Sequence, residues 1–178
     1  IVHARQLGLN IDLLTNGLLV PQHAALLPLL DSICISLDGL PAHNDRNRGP
    51  GTFTRIMEAI DCCLAHDVPT RINAVLTAET TAADIDFLMN FGRTRGVVIN
   101  FCPPFKYAPE QAQDEINRYT PSAVHTRAML DRIIDYKRRG YPIQFSARAH
   151  RLDRDWPLPF TRRQVIADAL PRDDRYIP

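Results

Sequence analysis

Ser36, Asp38 and Arg48 lie in one short stretch, residues 33–49, where an apolar run stops at Asp38-Gly39 and a polar segment follows. A hydroxyl, a carboxylate and a guanidinium beyond the end of a buried strand suit a small polar ligand, because α/β folds bind where their strands end. Asn16, Asn73, Thr77, Asn100 and Cys102 hold equivalent places after other apolar runs. In a parallel sheet these ends share one face, and a ligand there would meet hydroxyls, amides, one carboxylate and a loop arginine. Each of these residue types is also favoured in turns and helix caps for local reasons. His43 with Asp45 reads either as an acid–base pair or as a chance pairing within a polar loop.

Other chemistries are excluded by what the chain lacks. There is no G-x-G-x-x-G, no Walker-type loop and no nucleophile elbow, so the usual dinucleotide, nucleotide and acyl-transfer sites are unsupported. The four cysteines, Cys34, Cys62, Cys63 and Cys102, form no C-x-x-C pair and no secreted disulfide pattern, which leaves a reduced, cytoplasmic setting as the default. Net charge is +1, from 21 basic and 20 acidic residues, so no global field favours nucleic acid or an anionic membrane. No apolar run approaches the ~20 residues that a membrane helix needs. Between Lys137 and Arg163 eight Lys or Arg stand against two Asp, which reads first as a solvated face or linker and otherwise as a local basic surface for an acidic partner.

The elements that would position these residues alternate. Residues 1–7 read as the last turns of a helix closed by Gly8, and 9–14 as a strand ending at Thr15-Asn16-Gly17. Residues 21–30 are helix-like, but Pro28 either ends that helix near Leu27 or opens a second turn. A strand over 33–37 and a long polar loop over 40–51 follow. Phe53, Ile56, Met57, Ile60, Cys63 and Leu64 then repeat with helical spacing behind Thr52 as N-cap. A strand from Val68 to Thr77, a helix over 81–95 stopped by Gly96, and a strand over 97–101 come next. After these come a loop of about fifteen residues, a helix opened by Thr120-Pro121 and closed by Gly140, and a short strand over 141–145. The remainder, 148–178, reads as an irregular extension. Such alternation implies parallel strands with right-handed crossovers: an α/β domain, doubly wound or an arc of a (β/α) barrel.

Five segments in order sharpen this reading: Leu-Thr-Asn-Gly (14–17), Ile-Ser-Leu-Asp-Gly (35–39), His-Asn-Asp-x-x-Arg-Gly (43–49), Gly-Thr-Phe (51–53) and Arg-Ile-Asn-Ala-Val-Leu-Thr (71–77). Together they resemble the radical S-adenosylmethionine (SAM) enzymes, most closely the branch with cysteine-rich C-terminal extensions (SPASM or twitch type) that modifies peptides and proteins. The resemblance implies part of a TIM-type (β/α)₆ barrel over 1–147, with 148–178 leading toward an extension. It further implies that Ser36 and Arg48 hold the methionyl carboxylate of SAM, a charge-assisted contact suited to Arg. Asp38 and Asn73 would lie near the ribose, backbone around Ile99 and Phe101 would contact adenine, and Asn16 would line the floor.

Two family segments are missing from this sequence: the Cys-x-x-x-Cys-x-x-Cys loop that ligates the 4Fe–4S cluster, and the Gly-Gly-Glu segment that binds the SAM amino group. The chain therefore reads as a fragment of a radical SAM enzyme. By itself it is expected to be inactive and prone to self-association through an exposed sheet edge. In such a parent the cluster splits SAM to a 5′-deoxyadenosyl radical that abstracts a substrate hydrogen. The alternatives are a cluster-less β/α module that binds a peptide or protein, and a different barrel enzyme using Asp38, His43 and Cys102.

Overall fold

Residues 1–102 and 119–155 are described by the computed structural model. A short helix α1 (Val2–Gln6) leads into strand β1 (Asp12–Thr15), and a 3₁₀ helix (Pro21–Leu29) into β2 (Ser32–Ser36). Two helices, α2 (Pro41–Arg48) and α3 (Thr52–Ala65), separate β2 from β3 (Thr70–Val75). Helix α4 (Ala82–Arg95) and strand β4 (Val98–Cys102) complete the sheet, with α5 (Ala123–Arg138) and α6 (Ala147–Asp155) beyond it. The strands lie in chain order β1-β2-β3-β4, all parallel. The expected α/β architecture of repeated parallel β/α units is therefore the one observed.

Period-two alternation gives the sheet two unlike faces. Ile33, Ile35 and Leu37, then Ile72, Ala74 and Leu76, then Ile99 and Phe101 are buried on the helix side. There they meet Ile56, Ile60 and Cys63 of α3 and Ile85, Leu88 and Met89 of α4 in one continuous core. The opposite face carries Leu14, Cys34, Ser36, Arg71, Asn73, Asn100 and Cys102, and no helix of the described residues covers it. Leu14, 67% exposed, marks this face as open. Helix α4 packs tightly on β4 at Gly92, where an added Cβ would lie 2.9 Å from both the Val97 carbonyl oxygen and Ile99 Cγ1.

Four expectations are corrected. The polar loop over 40–51 is largely the helix α2: Pro41 at its first turn needs no N–H and brings a helical φ. Its buried residues, His43 and Asn44, are polar, so no apolar period announces the helix. Residues 141–145 form no strand, only a single parallel bridge, Ile99 to Ile143, flanked by Ile99 N–H donating to the Pro142 carbonyl at 2.8 Å. Pro142 has no N–H to extend that ladder. Thr52 and Thr120 are not N-caps: Gly51 precedes α3, and Ser122 caps α5 by accepting from His125 N–H. Residues 147–155 are helical rather than irregular, and Arg154 pairs with Asp131 of α5 at 2.8 Å. Pro28 is carried inside the 3₁₀ helix, which breaks near His23 (φ −116°). The long loop after Cys102 and the tail from 156 onward lie outside the described residues.

Gly92 supplies a test of how tightly α4 seats on β4. Gly92→Ala gains up to ~1 kcal/mol of helix propensity, but the clash with Ile99 and the Val97 carbonyl costs about 1–3 kcal/mol. Urea denaturation should show net destabilisation; a stabilised variant would show that the layers can separate freely.

Candidate functional site

The register rows of the open face bring the candidates together. Ser36 lies beside Asn73, and Asn73 beside Asn100, so three strands present a hydroxyl and two carboxamides in one row near their carboxyl ends. Asn73 Oδ1 accepts from Asn100 Nδ2 at 2.8 Å and from the Cys102 thiol at 3.0 Å. The Ser36 hydroxyl, half-buried, has no hydrogen-bond partner among the described residues. Ile99 and Phe101 turn their side chains into the core, 0% and 6% exposed, and the Ile99 backbone is already engaged, its N–H donating to the Pro142 carbonyl at 2.8 Å and its carbonyl accepting from Gln144 N–H at 3.0 Å. Asn16, at the exposed end of β1, uses Oδ1 to accept from Leu18 N–H at 3.2 Å in a turn.

Asp38 and Arg48 form the charged end of the row. Arg48 Nη2 donates to Asp38 Oδ1 at 2.8 Å, and Asp38 is 3% exposed. The same oxygen accepts from Val75 N–H at 3.1 Å, which ties β2 to the end of β3. Asn44, fully buried, accepts from Asp38 N–H at 3.2 Å and donates to Thr52 Oγ1 at 3.1 Å, linking the strand end to α3. Arg48 thus faces Asp38, and its Nε is buried without a hydrogen-bond partner.

The acid–base reading of His43 with Asp45 is replaced. Asp45 caps α3, accepting from Gly51 and Phe53 N–H, both at 2.7 Å. His43 instead lies with Nδ1 3.2 Å from Asp84 Oδ2, off the line of a straight hydrogen bond. Asp84, on the first turn of α4, accepts from Thr81 N–H, the Thr81 hydroxyl and Leu40 N–H at 2.9, 2.6 and 2.9 Å. Burial pushes this carboxyl up. The Thr81 hydroxyl and N–H, the Leu40 N–H and His43 outweigh that effect and hold it below the usual carboxylate range. Gly39 makes room for it: an added Cβ would lie 2.4 Å from Asp84 Oδ1.

Asn44 enters the sequence reading only as part of the 43–49 segment, with no role of its own, and Asn47 and Asp84 escape notice. For Asp84 a signal does exist: Thr81-x-x-Asp84 has the spacing of a capping box, and both of its bonds form.

The cysteines fit neither a cluster nor a nucleophile. Cys34 and Cys102 have their thiols pushed up by burial, and Cys63 is raised to about 11 by the same cause. Thiols so protonated are poor ligands and nucleophiles. Among the described residues no group of three His, Cys, Asp or Glu can hold a metal ion.

No family model and no curated protein matches this chain. Among solved structures, it resembles Streptococcus suis SuiB bound to S-adenosylmethionine (TM-score 0.62, 16% identity, covering 82% of this chain and 33% of that one). It also resembles anSMEcpe with bound AdoMet and the Kp18Cys peptide (0.59, 17%, 76% and 40%). A radical SAM methyltransferase from Sphaerobacter thermophilus is a further match (0.53, 18%, 78% and 41%). The chain spans well under half the length of these neighbours. At such identities the likeness is one of fold: the parallel β/α arrangement here is the kind from which those barrels are built.

Asp84 carries a sign-definite test. Its folded pKa is depressed, so its stabilising contribution is complete above the unfolded carboxyl range, near pH 4, and is lost as pH falls through the lower folded value. Asp84→Asn sets an amide among three donors and should cost about 2–4 kcal/mol near pH 7. Its stability should also fall less steeply below about pH 4. Denaturation curves across that range check both; an unchanged acid limb would remove Asp84 from the hub.

Proposed function

We propose that this chain is the SAM-binding part of a radical SAM enzyme barrel. Residues 1–147 would form the barrel arc and 148–178 lead toward an extension. The observation that carries the reading is the buried Arg48 Nε, which has no hydrogen-bond partner, on the arginine that pairs with Asp38, two residues beyond Ser36 in the row Ser36–Asn73–Asn100. A carboxylate accepts well from such a hydroxyl and guanidinium. In this reading Ser36 and Arg48 hold the methionyl carboxylate, and Asp38 keeps the guanidinium aimed. Asp38 and Asn73 lie toward the ribose, and Asn16 lies at the floor; within the 99–101 segment adenine would meet the backbone at Phe101, since Ile99 spends its own on Pro142 and Gln144. The carboxylate competes with Asp38 for Arg48, so binding would draw Nη and Nε into a shared fork.

Iron–sulfur chemistry does not fit the described residues: burial raises the thiols of Cys34, Cys63 and Cys102, and no group of three His, Cys, Asp or Glu among them can hold a metal ion. The chain alone is therefore read as inactive, and the cluster would have to be held elsewhere in a parent protein. A peptide or protein is the substrate class favoured, since anSMEcpe binds AdoMet together with a peptide in its solved form. Free cysteines support a reducing, cytoplasmic setting. No described helix is long and apolar enough to cross a membrane. The edge of β1, with Leu9, Leu14 and Leu19 exposed nearby, supports self-association.

A second reading, a cluster-less module that binds a peptide, is favoured by the lack of any metal-holding group among the described residues.

Calorimetry with SAM separates the two. The protein should bind SAM, and Arg48→Met should weaken binding by about tenfold or more, the loss of one charge-assisted contact. After anaerobic treatment with iron, sulfide and a reductant it should release no 5′-deoxyadenosine. No SAM binding by a folded protein would overturn the reading in favour of the module. Sedimentation should show reversible, concentration-dependent association that Leu14→Lys weakens.

A further inference from the structure

We propose that His43 and Asn47 are positioning residues: they orient Asp38, and through it decide which side of the Arg48 guanidinium is left for a ligand. The two lie four residues apart on α2, one turn above each other, with Arg48 adjacent. Asn47 Nδ2 lies 3.0 Å from His43 Nε2 and 3.4 Å from Asp38 Oδ2. One amide nitrogen, with its two hydrogens, therefore serves a ring nitrogen and a carboxylate together.

That arrangement dictates a tautomer. An amide nitrogen can only donate, so His43 Nε2 must accept and the ring proton must sit on Nδ1. Nδ1 is the nitrogen that faces the Asp84 carboxylate, 3.2 Å away. Asp84 is locked by Thr81 and Leu40 and held ionised, so its field favours the proton on Nδ1. The remaining neighbour of Nε2 is the Thr77 hydroxyl at 3.5 Å, which adapts to either tautomer.

The opposite tautomer has a cost that reaches the site. With the proton on Nε2, Asn47 must turn its Oδ1 toward the ring, and the same oxygen would then face Asp38 Oδ2. Two acceptors would oppose each other, and Asp38 would lose its hold on that side. In the observed arrangement Asn47 Oδ1 is buried with no partner of its own. The amide is therefore oriented by its two acceptors, not by its oxygen. Asp38 Oδ2 is taken by Asn47, and Oδ1 by Arg48 Nη2 and Val75 N–H. With the carboxylate held on both oxygens, Arg48 is pinned by one Nη while Nε stays unspent. The consequence for a ligand carboxylate rests on the SAM reading above; the arrangement of the side chains does not.

Two measurements on the 178-residue protein test it. Long-range ¹H–¹⁵N spectra at neutral pH should report the Nδ1–H tautomer for His43, and the Nε2–H tautomer would overturn the proposal. Asn47→Leu, which keeps the branching at Cγ but removes both polar atoms, should shift the Arg48 Nε–H resonance and weaken SAM binding by about tenfold. If the native protein binds SAM and Asn47→Leu changes neither resonance nor affinity, the positioning role falls and the SAM reading stands. If the native protein binds no SAM but the Arg48 resonance still moves in Asn47→Leu, the positioning role stands and the SAM reading falls. A purely packing role for Asn47 would lower the unfolding midpoint without moving the Arg48 resonance, and that result also overturns it.

Discussion

A buried carboxylate, Asp84 at 2% exposure, is the contact on which the charged end of the site depends. A lone ionised group in such a place is costly unless donors surround it. Here the donors are Thr81 beside it and Leu40 at the turn after β2, and the imidazole of α2 lies 3.2 Å away without a straight hydrogen bond. The need to satisfy one charge thus joins the end of β2, the start of α4 and the body of α2. Gly39 is the concession made to it, since any side chain there would collide with the carboxylate. Asp38, one residue before that glycine, inherits its position from this junction.

The second constraint is the alternation of the strands. Because neighbouring side chains point to opposite faces, the apolar members Ile35, Ile72 and Ile99 commit one face to the helices. Ser36, Asn73 and Asn100, their immediate neighbours in sequence, are thereby committed to the other. Parallel pairing in register then sets these three abreast. The row of polar groups is a by-product of packing isoleucines against α3 and α4, and it needs no special backbone conformation.

Much of this was legible before any coordinates. The apolar runs, the amphipathic stripe of α3 and the polar residues at strand ends are local patterns, and local patterns survive in a sequence. Helix α2 was not legible, because its buried face is His43 and Asn44, which are placed by polar contacts to Asn47, Thr52 and Asp84 and not by apolar packing. The short strand expected over 141–145 failed for the converse reason: apolar residues were present, but Pro142 broke the ladder after one bridge. The role of Asp45 stays open in the sequence, because an acid near a histidine looks the same whether it acts on a proton or caps a helix.

By itself the sequence determined the succession of parallel β/α units and which residues stand at the strand ends, since periodicity and glycine stops are properties of short segments. It also determined that the cluster-binding cysteine motif is not among these residues. The tertiary structure decided partnership: Arg48 with Asp38, His43 with Asp84, Asn73 with Asn100 and Cys102. Those pairs join residues up to 41 positions apart, as His43 to Asp84 shows. Hydrogen bonding depends on distance and angle in space, and spacing along the chain does not encode either until the sheet has set the rows.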